Sequence, residues 1–333
     1  MNVLHRFFQQ DIVGVFMNHT TKWWYYCLAL IAPFMGAVSY VLSKYIITDI
    51  SPISLLFYRW LVALVILTPF AIKPFLNEIN NIRANIRILF IIAISGVTLF
   101  NFFVYYALQY TTSTNTSIIV SIFPMIVLAL GIAIDGEKLR KSHIYSIIFS
   151  FIGVLIILSH GNILKGVLAL FNNIGDFIAL AATLCWAIYV YAVKHKPTNL
   201  SFRSFVYSTF LIGTILICPL YVVDIFYLKH TFEPTMVNIG IIFCLGFGVS
   251  IIGMISLNIS IVKIGPNISA ILFYLAPLFT SIMAVTILRE ELQSFHFIGI
   301  LSILLGVNFP LIAHFFAYKR KTYNSKEEEL LDN

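Results

Sequence analysis

The chain carries one apolar pattern written twice, and the duplication limits the folds open to it. From Tyr106 it reads YALQYTTSTNTSIIVSIFPMIVLALGIAIDGEKL, and from Ser260 it reads SIVKIGPNISAILFYLAPLFTSIMAVTILREEL. At an offset of 153 positions Pro124 meets Pro277, Glu137 meets Glu290, Leu139 meets Leu292, His143 meets His296 and Gly153 meets Gly306. A polar start, an apolar run with a central proline, an acidic hinge and a second apolar run recur in that order.

The runs are as long as the roughly 17–25 residues a helix needs to cross a bilayer. Charged residues make up 11% of the 333 positions and hydrophobic ones 60%, where ordinary soluble domains carry about 25% charged. Ten spans are read at about 23–47, 54–72, 87–108, 115–135, 143–160, 175–193, 202–223, 237–260, 266–288 and 295–318. The fold class is therefore all-α integral membrane, ten transmembrane helices in two five-helix repeats. A cytoplasmic segment (1–22) leads into repeat 1 (23–160), and residues 161–173 link it to repeat 2 (174–318), which a cytoplasmic tail (319–333) follows.

Charge sets the orientation. With both termini inside, 16 Lys and Arg fall in inner loops and 4 in outer ones, with Arg59 inside a span, in accord with the positive-inside rule. Five spans per repeat, an odd number, invert the second repeat relative to the first. Inverted repeats are the architecture on which alternating-access carriers are built, with the substrate held between the repeats near the bilayer midplane. A net charge of +7 does not indicate nucleic acid, because the basic residues are spread over loops beside the membrane. The expected location is the cell (inner) membrane.

Cys27, Cys185, Cys218 and Cys244 all fall inside spans and lack the spacing of a metal or redox motif. No metal and no cofactor is expected. Phe7, Phe8, Val13, Val15 and Phe16 read as a short interfacial helix, and Lys319-Arg320-Lys321 as a basic tail at the inner headgroups.

Several segments resemble the EamA-type transporters of the drug/metabolite transporter superfamily. They are Tyr105-Tyr106-Ala107-Leu108-Gln109-Tyr110-Thr111-Thr112, the Pro124 and Pro277 helices, the Glu137-Lys138-Leu139 and Glu290-Glu291-Leu292 hinges, and Gly175-Asp176-Phe177-Ile178-Ala179-Leu180 followed by Trp186-Ala187. The similarity runs from about 23 to 318. It implies ten helices in a basket around a central cavity, lined by the first, third, fourth, sixth, eighth and ninth helices, and export or exchange of small metabolites. Phe34-Met35-Gly36 stands where the family often has Trp-Gly.

The candidate substrate-binding residues lie near the middle of those spans: Phe34, with Met35 offered beside it, Tyr40, Asn101, Tyr105, Ser121, Thr183, Trp186, Tyr189, Ser250, Met254 and Tyr274. Rings interleaved with a few hydroxyls and amides suit an amphipathic neutral or zwitterionic solute, or a cationic head held by cation–π contact. Pro124 and Pro277 each remove a backbone donor and should bend or open a helix. Arg59 is a candidate charge partner for a substrate carboxylate, but the reading preferred from sequence is that it snorkels to the outer headgroups between Tyr58 and Trp60. Asp176 reads as a dipole-stabilised charge at a helix start, Lys44 and Lys263 as span-end charges, and Glu137 and Glu290 as turn caps. No Asp, Glu or His falls in the central third of any span, which favours facilitated diffusion or exchange over proton coupling. Ser146, Ser150 and Gly153, and Gly299, Ser302 and Gly306, form narrow stripes suited to close packing within a monomer or across a homodimer.

The leading reading is a secondary transporter of amino acids or related solutes acting as exporter or exchanger, with a small-molecule substrate and the lipid bilayer as its partners. Uptake of a metabolite, a quaternary amine or a nucleoside-like solute is the alternative. A membrane-bound enzyme or lipid-processing protein ranks lower, because it needs an acid/base pair, an activated nucleophile or a metal cluster that the sequence does not offer.

Overall fold

A computed structural model describes residues 23–136, 173–228, 234–264 and 275–306, with single residues at 144, 145, 148, 149, 152, 153, 156, 232, 269, 272, 273 and 309. The interfacial segment, most of the linker, Glu137, Tyr274 and the basic tail lie outside the described residues. We label the helices α1 (Trp23–Ile46), α2 (Pro52–Asn77), α3 (Ile86–Tyr110), α4 (Ser113–Ile134), α5 (Ile174–Lys194), α6 (Phe202–Phe226), α7 (Met236–Lys263), α8 (Leu275–Leu288) and α9 (Ser294–Gly306). Seven of them, α1 to α7, are long and apolar enough to cross a membrane, and α8 and α9 are shorter apolar helices. Most of the span expected at 143–160 lies outside the described residues.

The chain divides into two units. One comprises residues 1–123 and 171–292; the other comprises 124–170 and 293–333. In the second unit a Cβ placed on Gly153 would lie 2.8 Å from the Gly299 carbonyl oxygen and 2.9 Å from the Ile303 nitrogen. These two helices approach backbone to backbone, as small-residue stripes allow.

In the first unit the helix starts follow capping chemistry. Ser51 precedes Pro52 and accepts the Ser54 N–H, Thr112 accepts the Asn115 N–H at the start of α4, and Thr235 accepts that of Asn238 at the start of α7. Each satisfies a donor that a helix leaves open at its first turn, and Pro52 sits where no donor is needed. α2 runs beyond the expected end at 72 to Asn77, through Pro69 and Pro74.

α2 and α6 pack antiparallel, and each end of the pair is closed by a carboxylate from the opposite helix. Near the end of α6, Asp224, 1% exposed, accepts hydrogen bonds from the hydroxyls of Ser51 and Ser54 at the start of α2. Just past α2, Glu78 accepts the N–H of Ser201, the N-cap of α6, at 2.9 Å. Burial pushes the Glu78 carboxyl up, but hydrogen bonds from the Ser201 N–H and the Ser204 and Ser201 hydroxyls together hold it below its ordinary value. Between the ends, Phe57 stacks on Tyr221 at 4.0 Å, Tyr58 and Tyr221 share a 2.7 Å hydroxyl contact, and Trp60 meets Phe210 edge-on at 4.8 Å. Val65, Phe70, Ile215 and Phe226 point outward, as side chains facing acyl chains do. An Asp224→Ala variant should lose about 2 kcal/mol, the cost of leaving the buried Ser54 hydroxyl and the half-buried Ser51 hydroxyl without their acceptor. Thermal unfolding in detergent measures this, and Ser54→Ala should lose less because its serine partner survives.

α3 and α7 each contain a π-helical stretch, Ala93–Leu99 in one and Cys244–Gly253 in the other. They fall at matched places in the two repeats. A π stretch leaves backbone carbonyls out of the usual ladder, and such stretches often mark functional sites. α4 is interrupted by a turn at Ser121 and Ile122, after which Pro124 takes the second position of the Phe123–Ile134 segment. Pro277 takes the third position of the Leu275–Met283 segment of α8.

Candidate functional site

The first unit holds a cavity of about 40 Å³, bordered by the π stretch of α7 and by the turn of α3 that follows its own π stretch. Its wall is built from Met35, Gly36, Ser39 and Tyr40 of α1, Arg59 of α2, Phe100 and Asn101 of α3, Trp186 of α5, Gly253 and Met254 of α7, and Phe273. The rings form one cluster around Trp186: Phe100 at 4.4 Å, Tyr189 stacked at 4.9 Å and Phe273 at 6.1 Å. Phe123 closes it edge-on to Phe273 at 5.5 Å.

Against this apolar face stands Arg59. The sequence reading that sends it to the headgroups is corrected: it is 3% exposed and turns into the unit, and Trp60 beside it is fully buried rather than part of an interface belt. Arg59 lies seven residues past Pro52, about 10 Å along the helix axis at 1.5 Å per residue, too deep for its side chain to favour the surface once polar partners surround it. Its Nε donates to Ser250 Oγ at 2.7 Å, and its Nη1 donates to Tyr105 Oη at 2.7 Å, Asn101 Oδ1 at 2.9 Å and Ser39 Oγ at 3.2 Å. The π stretch of α3 orients Asn101, whose Nδ2 donates to the Gly96 and Val97 carbonyls at 3.0 and 2.9 Å. Its oxygen is thereby left facing the guanidinium.

The structure sorts the other candidates. Tyr40, Asn101, Trp186 and Met254 line the cavity directly. Tyr105 and Ser250 stand one layer back and hold Arg59. Tyr189 is buried behind Trp186, donating its hydroxyl to Asn258 Oδ1 at 2.9 Å. Ser121 donates to the Ile118 carbonyl within α4, and Thr183 donates to that of Ala179 at 2.7 Å within α5. Both are spent on helix backbone and lie away from the cavity wall. Phe34 departs from the expectation: it is 42% exposed and packs edge-on against Phe279, while its neighbour Met35 faces the cavity. One residue turns a helix by about 100°, so the adjacent position takes the inward place. Sequence reading missed Ser39, Phe100, Phe273 and Asn258. The glycines inside the two stretches, Gly96 in the third span and Gly246, Gly248 and Gly253 in the eighth, were the available signal, although none of them coincides at the offset of 153.

A second polar cluster lies at the end of the unit where α1 and α3 finish and α4 and α5 begin. Arg289 has a φ of 57°, the one positive value at a non-glycine among the described residues, and it turns the chain after α8 so that Glu290 faces the start of α4. One Glu290 oxygen accepts the Ser113 N–H and hydroxyl, both at 2.8 Å, and the other accepts the Thr114 N–H at 3.2 Å and hydroxyl at 2.7 Å. Glu290 thus caps a distant helix rather than its own turn. Lys44 donates to the Leu108 and Thr111 carbonyls at 2.6 and 2.8 Å, and Asp176, 1% exposed, accepts the Thr111 hydroxyl at 2.6 Å.

Apolar spanning helices around a ring-lined cavity, with π stretches at matched places in two sequence repeats, define a multi-pass membrane transporter. The chain belongs to the EamA-like transporter family, whose pattern it matches over residues 23–159 and 173–311. It is 27% identical over 280 residues to an uncharacterized transporter of Archaeoglobus fulgidus, covering 81% of this chain and 91% of that one. It is 26% identical over 301 residues to the uncharacterized transporter YyaM of Bacillus subtilis, covering 90% and 95%. A crystal structure with 14% identity superposes with a TM-score of 0.59, covering 86% of this chain and 96% of the other, which shows a shared fold.

Proposed function

We propose that this protein is a secondary carrier for small amphipathic or zwitterionic metabolites, amino acids foremost, working by alternating access as an exporter or exchanger. The observation that carries this reading is the cavity itself. It joins an aromatic face of Trp186, Phe100 and Phe273 to a polar face of Asn101, Ser39 and Arg59, deep within helices that carry the two π stretches. A solute with one apolar and one polar end fits such a wall.

At about 40 Å³ the cavity has room for two or three waters, so a metabolite enters only when the helices around it separate. A carrier that alternates between two open forms would widen this cavity from one side at a time. The buried acids Asp176 and Asp224 bond to residues at helix ends, away from the cavity wall, which favours exchange over proton-driven pumping.

The test is counterflow in proteoliposomes loaded with single amino acids. Exchange of a subset, insensitive to an imposed pH gradient and reduced at least about tenfold by Trp186→Ala, is the expected result. Strong accumulation driven by the gradient contradicts the exchange reading, and equal rates in protein-free vesicles contradict the carrier reading.

A further inference from the structure

Arg59 is a permanent cation held inside the membrane-spanning part of the chain, and among the described residues no acid bonds to it. A guanidinium keeps its proton at any accessible pH, and a charge in that setting is costly unless it is paired or faces a polar cavity. Its four hydrogen-bond partners are the neutral acceptors Ser250, Tyr105, Asn101 and Ser39, and its guanidinium carbon lies 5.3 Å from the centre of the Trp60 ring. These contacts use Nε and Nη1 only. Among the described residues Nη2 makes no hydrogen bond, and Arg59 contributes to the cavity wall.

We propose that Arg59 is the substrate's anion anchor and that the transported solute presents a carboxylate to it, with an apolar body lying on the Trp186 cluster. This deepens the carrier reading and rests on it. Neutral partners on Nε and Nη1 fix the plane of the guanidinium without cancelling its charge, and Nη2 keeps an N–H that can donate to one oxygen of a carboxylate. A phosphate dianion would call for more than one cation, and among the described residues Arg59 is the one Lys or Arg lining this cavity. A quaternary amine would meet the same charge as repulsion, which sets the aromatic-cage alternative behind the carboxylate one. The matched place in repeat 2 is near Thr209, an uncharged residue, so the anchor is single and the bound solute has one orientation.

The experiment is a thermal-shift titration of the full chain in detergent with five probes: phenylacetate, L-phenylalanine, phenylacetamide, phenethylamine and choline. The wild type is compared with Arg59→Gln, Arg59→Lys and Trp186→Ala. The expected result is stabilisation by phenylacetate or L-phenylalanine at concentrations at least about tenfold below those needed for the amide and the amines. Arg59→Gln should abolish this preference and Arg59→Lys should retain part of it. If Arg59→Gln does not fold, the acid-to-amide comparison in the wild type and in Arg59→Lys decides. Equal response to acid and amide, a preference that survives Arg59→Gln, or no response to either carboxylate overturns the proposal. Stabilisation by phenylacetamide, phenethylamine or choline that persists in Arg59→Gln and vanishes in Trp186→Ala leaves the carrier reading standing while the anchor falls. Silence from all five probes counts against both.

Discussion

Gly96→Ala is expected to lower stability by about 3 kcal/mol, at the upper end of the range for overpacking a filled interior, and to abolish transport. A Cβ at this position would lie 2.1, 2.5 and 2.7 Å from three ring carbons of Tyr189. The ring has no room to retreat. It is buried, stacked on Trp186 and tied through its hydroxyl to Asn258, so an added methyl group must displace the aromatic cluster or the π stretch that contains Gly96. That stretch also supplies the carbonyls that orient Asn101 toward Arg59. A double-mutant cycle separates this mechanism from a general loss of helix quality. If the clash is the cause, Tyr189→Ala should recover most of the stability lost in Gly96→Ala, leaving a coupling energy of about 2 kcal/mol. Additive losses would show that Gly96 serves some other purpose.

Glu290→Ala should cost about 2–3 kcal/mol, because four donors at the start of α4 lose a charged acceptor together. Ser113 and Thr114 are buried, so water cannot simply replace the carboxylate. Glu290→Gln keeps one acceptor oxygen but loses the charge that favours a helix N-terminus, and it should fall between the two. The effect on function follows from where the contact sits: it joins the end of α8 to the start of α4, beside Lys44 on the α3 carbonyls. Loosening it should increase the accessibility of a cysteine placed at Thr112 to a charged thiol reagent added from one side of the membrane. Accessibility unchanged by Glu290→Ala would mean that the contact holds the fold without governing access.

Much of the fold was legible because lipid imposes simple rules. The apolar runs marked α1 to α4 and α5 to α7 to within a few residues, since a helix in hydrocarbon must be apolar along its length. The end of α2 was read five residues early, at 72, while the helix continues through Pro74 to Asn77. The site was less legible. Hydropathy says that Arg59 is inside a span but not which way it points, and Ser39, Asn101, Tyr105 and Ser250 come from three other helices with nothing in the sequence to show that they converge. Phe34 and Met35 differ by one step of rotation, below what a run of apolar residues resolves. The π stretches leave no mark on hydrophobicity, because shifting a hydrogen-bond partner by one residue changes no side chain. Glu290 was recognised as a cap, but its helix lies 177 positions away in the chain.

The closure of α2 and α6 by each other's carboxylates has a consequence for either half of the chain taken alone. Ser51 has its acid at Asp224 and Ser201 has its acid at Glu78, so neither repeat contains what its own second helix requires. A polypeptide ending before residue 174 would leave the Ser51 and Ser54 hydroxyls without Asp224, and one beginning there would leave the Ser201 N–H without Glu78, so neither is expected to hold its second helix in place unaided.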